Sequence, residues 1–197
     1  MKKIELILAV LLGFLGTAVA LPQGPVITGP AAIGQRIPHF TAEAWDMRGA
    51  TPSKGVLDSL KSKRATVYIF VGTHCPATQA YAERLTQLDG AYAKKGVDFV
   101  FLYPNRDDTL DAATAFHKEK QFKGRLIKDD EGKLAHLLGA QRTSELFLTD
   151  RKGTVVYHGA IDDSREVSQV KQHFLTMALD ATLAGKPVSI TESNVVA

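Results

Sequence analysis

The stretch Val67-Tyr68-Ile69-Phe70-Val71-Gly72-Thr73-His74-Cys75-Pro76-Ala77-Thr78 decides the reading of this chain. A short apolar, β-branched and aromatic run breaks at Gly72, and Pro76 is suited to the first position of a helix. The segment therefore predicts a strand, a turn and a helix start, with Cys75 at the junction. A sulfur placed there feels the unsatisfied N–H groups and the positive dipole end of the helix, which favour thiolate over thiol. Cys75 is the sole cysteine among 197 residues. Its alternative role is that of a small buried hydrophobe, the usual fate of a free cysteine. The strand-to-helix position favours a reactive thiol, and so redox chemistry.

Outward from this turn, strands and helices alternate. A strand is predicted over 66–71 and a long helix over 76–93, with Tyr81, Leu85, Leu88 and Tyr92 on one face. Gly96 ends that helix, and an apolar strand follows over 97–103. Pro104-Asn105 breaks it, and Asp107 or Asp108 caps a helix running to about residue 121. Extended structure resumes over 125–128, followed by a short helix over 133–138 that stops at Gly139. Strands over 145–149 and 154–157 flank Asp150-Arg151-Lys152-Gly153, a hairpin signal. A final helix is predicted over 164–184 with Val167, Val170, Phe174, Met177 and Ala181 as its inner stripe. Before the first strand, residues 34–51 read as irregular and 56–61 as a short helix. The pattern is that of an α/β domain, a central mixed sheet with helices on both faces.

The N-terminus reads as an export signal: Lys2 and Lys3, an apolar run, then Ala18-Val19-Ala20 as a small-x-small cleavage site. An uncleaved anchor is the alternative, since a span needs roughly 17–25 residues, and only then would a membrane be a partner. The expected organisation is a signal peptide over 1–20, a Pro/Gly/Ala-rich flexible leader over 21–33, one domain over 34–188 and a tail over 189–197. Export leads to a periplasmic or extracellular, oxidising compartment, where structural cysteines come in pairs. A single one is inert, reactive or an intermolecular link. Loss of Lys2, Lys3 and Glu5 takes the formal charge from +3 to +2. That charge is too weak and dispersed for nucleic acid. The histidines other than His74, namely His39, His117, His136, His158 and His173, show no metal-ligand spacing with Cys75, so neither metal nor cofactor is expected.

The order of elements and the Cys75-Pro76-Ala77-Thr78 turn resemble the thioredoxin-like redoxin family. The nearer likeness is to the branch containing alkyl hydroperoxide reductase and thiol-specific antioxidant proteins. Ile37-Pro38-His39-Phe40, Gly139-Ala140-Gln141-Arg142-Thr143, Val156 to Asp163 and Leu183 to Val188 extend the likeness over roughly residues 34–186. The resemblance implies a three-layer sandwich and thiol-dependent peroxidase or oxidoreductase activity. Its substrate would be a peroxide or a protein disulfide, and an external thiol would be the reductant. It also marks the departures. Thr78 stands where a thioredoxin-type dithiol has its second cysteine, so a self-contained dithiol cycle is excluded. Gly72 and Tyr68 stand where peroxiredoxins carry a hydroxyl residue and a proline. Ser144 holds the place of the cis-proline, and a non-proline cis bond costs about 2.5–4 kcal/mol, so a trans Thr143–Ser144 bond is expected.

Cys75 is thus the candidate nucleophile, with Thr73, Thr78 and Arg142 as candidate supports for its thiolate. His74, Pro76, Thr143 and Ser144 form the expected substrate-facing loops. His74 reads either as a neighbour that acidifies the thiol or as a solvent-facing side chain, and Arg142 either as a thiolate partner or as a surface cation. A second function class stays open, a binding module that keeps the fold without turnover.

Overall fold

The structure is a computed structural model that describes residues 31–61 and 63–195. The expected signal peptide, with its cleavage site, and residues 21–30 of the leader lie outside the described residues. Eleven main elements follow in order: β1 (Thr41–Asp46), β2 (Ser53–Asp58), β3 (Ala65–Phe70), α1 (Pro76–Ala93), β4 (Val97–Tyr103), α2 (Leu110–Glu119), β5 (Arg125–Lys128), α3 (Lys133–Leu138), β6 (Leu146–Asp150), β7 (Val155–Gly159) and α4 (Phe174–Leu183). The strands form one mixed sheet in the order β2-β1-β5-β4-β3-β6-β7. Its centre, β3, β4 and β5, is parallel, and the flanking pairs are antiparallel. Helices lie on both faces, giving the thioredoxin-like sandwich.

The central strands are buried on both faces, so they read as continuous apolar runs rather than alternating ones. Along β3, Val67 and Ile69 enter one core with Tyr81, Leu85, Phe116, Leu175 and Leu179 from α1, α2 and α4. Tyr68 and Phe70 enter the other, with Leu134 and Leu138 from α3. Moving from β3 through β4 to β5 advances one strand at a time in one direction. Right-handed crossovers therefore place α1 and α2 on the same face. The C-terminal end of β3, where Cys75 emerges, is a central position of the sheet.

Four local expectations are corrected. The helix expected over 56–61 is instead strand β2 and the turn after it. Val56 is exposed and Leu57 buried, the alternation of a strand. β2 pairs with β1 from Thr41↔Asp58 to Asp46↔Ser53, so the supposed irregular segment before it also holds a strand. The final helix begins at Phe174, not at 164. The Asp163 carboxylate accepts the N–H groups of Lys171 (2.9 Å) and Gln172 (3.1 Å), closing the intervening residues into a loop. The inner stripe shifts in consequence: Leu175, Ala178 and Leu179 are buried, while Val167 and Met177 are exposed. Thr109, not Asp107 or Asp108, caps α2 through its hydroxyl to Ala112 N–H (3.2 Å).

Candidate functional site

β3 ends at Phe70, and a tight turn carries the chain to Cys75, the N-cap residue of α1 with φ −76° and ψ 121°. Gly72 permits the turn's close packing: a Cβ there would lie 2.5 Å from Asn105 Nδ2 and 3.4 Å from the Cys75 Cβ. Pro76 takes the first helical position, where its missing N–H costs nothing. Cys75 is half-buried, and its Sγ lies 2.8 Å from the Thr143 hydroxyl. Burial alone would push the thiol pKa up. The Thr143 hydroxyl, the Thr78 N–H and hydroxyl and the Ala77 N–H outweigh it and hold the thiol below its ordinary value. Hydrogen bonds from this turn favour the thiolate, and the residue is not fully buried.

Thr78 is fully buried, and its Oγ1 also accepts the Gly72 N–H (3.2 Å), so one hydroxyl ties the turn to the helix beneath the sulfur. Thr143 comes from the distant loop before β6, 68 residues on in sequence. The structure brings Cys75, Thr78 and Thr143 together. It does not bring the Thr73 hydroxyl to the sulfur. The N–H (3.1 Å) and the hydroxyl of Thr73 both bind the buried Asp108 carboxylate, which Asn105 Nδ2 also reaches (2.9 Å). Nor does Arg142 supply a charge there: its side chain is exposed, and only its backbone N–H is engaged, on Glu145 Oε2 (3.1 Å). His74 and Pro76 are exposed on the rim.

Ser144 adopts φ 66°, its N–H binds the Phe70 carbonyl, and its peptide bonds are trans. Its hydroxyl is buried without a partner. The next residue, Glu145, is 4% exposed, yet carries a carboxylate that accepts the Gln141 N–H (2.6 Å) and meets His158 Nε2 (2.6 Å). Asp108, Glu145 and His158 escaped the sequence reading as site residues. Asp108 carries the sequence signal of a helix cap, and His158 carries none that points to a carboxylate partner. Glu145 had one usable signal, a charged residue opening an otherwise apolar strand.

A family model described as Redoxin matches residues 32–173. No curated protein matches the chain. Among solved structures, an uncharacterized conserved protein from Geobacillus kaustophilus is 28% identical with a TM-score of 0.72, over 83% of this chain and 88% of that one. A hypothetical protein from Sinorhizobium meliloti 1021 is also 28% identical, with a TM-score of 0.69, over 83% of this chain and 92% of that one. A protein described as a thiol:disulfide interchange protein, DsbE, from Chlorobium tepidum shares 19% identity with a TM-score of 0.59, over 77% of this chain and 98% of that one. At that identity the likeness is one of fold.

Proposed function

The chain belongs to the Redoxin family, and from that premise we propose that it is a single-cysteine thiol oxidoreductase, reduced by an external thiol, with Cys75 as its nucleophile. The observation that carries this reading is the half-buried Cys75 at the start of α1, its Sγ 2.8 Å from the Thr143 hydroxyl. Thiol–disulfide exchange requires an accessible thiolate and little else. Cys75 Sγ attacks one sulfur of a partner disulfide; the S–S bond breaks, and the other sulfur leaves as thiolate. The Cys75 mixed disulfide then waits for an external thiolate, which attacks the partner sulfur and returns Cys75 as thiolate. No second cysteine exists to do this from within.

A peroxide is the second substrate class, favoured by the Thr143 hydroxyl, which is placed to follow an oxygen added to the sulfur. There the thiolate attacks one peroxide oxygen, the O–O bond breaks, and sulfur gains two oxidation levels as sulfenic acid while the alkoxide or hydroxide leaves. One external thiol condenses with the sulfenic acid, releasing water, and a second releases Cys75. The guanidinium of Arg142 and the hydroxyl of Thr73, the groups that would polarise a peroxide, do not reach the sulfur, so disulfide exchange ranks first. The basic start, apolar run and Ala18-Val19-Ala20 support action outside the cytoplasm.

The test follows thiol-dependent turnover of a disulfide reporter and of hydrogen peroxide by the chain lacking residues 1–20, with Cys75→Ser as control. Turnover of the reporter, a trapped Cys75 adduct by mass spectrometry and loss of both in Cys75→Ser are expected. A thiol of ordinary pKa with no turnover of either substrate would overturn the proposal and leave a binding module.

A further inference from the structure

The Thr143 hydroxyl reaches Cys75 only because the loop 141–145 has a particular shape, and a buried charge sets that shape. Glu145 Oε2 accepts two N–H groups, from Gln141 and Arg142, so the loop curls around the carboxylate. Oε1 meets His158 Nε2 on β7. The His158 ring stacks on Phe147 (centroids 4.2 Å apart, 11° between planes), and its backbone binds the tail: His158 N–H to the Thr191 carbonyl (2.9 Å), Ser193 N–H to the His158 carbonyl (3.1 Å). On the other side, the Glu145 carbonyl accepts the Phe70 N–H (3.0 Å), tying the loop to the strand that delivers Cys75. Thr143 lies between the two captured amides and this anchor.

Burial pushes the Glu145 carboxyl up, but His158 and the two amides bring it below its ordinary value, so it is ionised at neutral pH. A buried carboxylate costs several kcal/mol unless such partners satisfy it. Glu145 stands immediately before β6, where an apolar residue would carry no such desolvation cost. What it does is hold two backbone amides in a turn beside the sulfur.

We propose that Glu145, braced by His158, is a positioning residue that keeps the Thr143 hydroxyl on the Cys75 sulfur, and that losing the side-chain oxygen that accepts the two loop amides slows thiolate chemistry at Cys75. The inference deepens the functional proposal, resting on Cys75 as the reacting group, but does not depend on which substrate it meets. Removing a negative charge near a thiol would by itself favour the thiolate and speed its reactions. Lost positioning has the opposite sign.

The experiment measures the pH profile of iodoacetamide alkylation of Cys75 in the chain lacking residues 1–20, with no oxidant or disulfide present, so it reads out even where turnover is absent. Thr143→Val and Glu145→Ala are each expected to slow alkylation about tenfold at neutral pH and to move the profile upward, the loss of about one hydrogen bond to a charged acceptor. The double variant should be no slower than either single one, because both remove the same contact. Glu145→Gln should restore the rate to within about twofold, because its carbonyl can still accept both amides. A folded Glu145→Ala with the parental profile, a faster one, or effects that multiply in the double variant would overturn the proposal. If Glu145→Ala does not fold, Glu145→Asp, one methylene short of the amides, takes its place with the same slowing expected and the same refuting outcomes.

Discussion

Thr78→Cys is expected to turn this single-thiol protein into one that closes its own disulfide. Thr78 lies three residues after Cys75, fully buried, with its hydroxyl on the sulfur side of the turn. Residues three apart on a helix bring their Cβ atoms to about 5–6 Å, and a disulfide needs about 3.5–4.5 Å. Cys75 is the N-cap, with extended φ and ψ, so it can close that gap without deforming the helix. The substitution swaps a hydroxyl for a poorer acceptor and weakens the bond from Gly72 N–H, a cost of about 1 kcal/mol. Closing the four-residue loop contributes about 2 kcal/mol by the chain-entropy relation. The oxidised variant should therefore exceed the parent by about 1 kcal/mol, a Tm rise of about 2–4 °C for a domain of this size. Its reduced form should fall below the parent by a similar amount. Mass spectrometry after alkylation reads the disulfide, and calorimetry under oxidising and reducing conditions reads the two shifts. The variant should also release a mixed disulfide on Cys75 without an added thiol. Failure to form the 75–78 bond under oxidant, while Cys75 still alkylates in the reduced protein, would refute the placement of Thr78 beneath the sulfur.

Two further predictions concern the scaffold. His117 is fully buried, its ring nitrogens 3.2 Å from the Tyr103 hydroxyl and 3.3 Å from the Gly124 carbonyl, and burial pushes its pKa down to about 3. The folded chain keeps this ring neutral while the unfolded chain protonates it near 6.5, so stability falls as pH drops below 6.5, by about 3 kcal/mol at pH 4 from this group. Urea titrations from pH 7 to 4 should show a shallower decline for His117→Gln; parallel curves would refute the assignment. Asp89, buried on α1, accepts the Lys123 and Gly124 N–H groups, both at 2.7 Å, fixing the connection into β5. Asp89→Ala leaves both donors without a partner and should cost about 2–4 kcal/mol in denaturant unfolding; a loss below about 1 kcal/mol would show that the loop re-forms its hydrogen bonds elsewhere.

The pattern of what the sequence revealed follows from the range of the forces involved. β3, α1, β4, β5 and α3 are legible because their signals are local: continuous apolar runs, Pro76 at a helix start, Gly96 and Gly139 in left-handed conformations at helix ends. β1 and β2 are not, because only part of one face is buried; Gly55 and an exposed Val56 blur the alternation, and the pairing partner supplies the order. The late start of α4 depends on one Asp163 carboxylate reaching eight and nine residues ahead, a choice that helical periodicity does not encode. At the site the same division holds. Cys75, Pro76 and Thr78 are neighbours in sequence and were found together. Thr73 and Asp108 are 35 residues apart, and both were given local tasks, a bond to the sulfur and a helix cap; their mutual hydrogen bond leaves neither free for them.

The two departures from dithiol chemistry have one physical consequence. Thr78 holds the place of a second thiol, and Thr143-Ser144 replaces a loop built around a cis-proline. Together these segments bring two hydroxyls, those of Thr78 and Thr143, to one sulfur. A hydroxyl stabilises a thiolate by donating a hydrogen bond, but it cannot displace a sulfur from a mixed disulfide. A second cysteine would do the reverse, resolving the adduct while competing to be the thiolate. The site therefore couples an acidified sulfur to an adduct the chain cannot clear. Under the proposed function, Thr78 and Thr143 set the reactivity of Cys75 from inside the protein, while turnover depends on the external thiol that reaches it. If so, changing the external thiol should alter the rate of release without altering the rate at which Cys75 is first modified. Glu145→Ala should slow both steps, because a less acidic Cys75 is also the poorer leaving group.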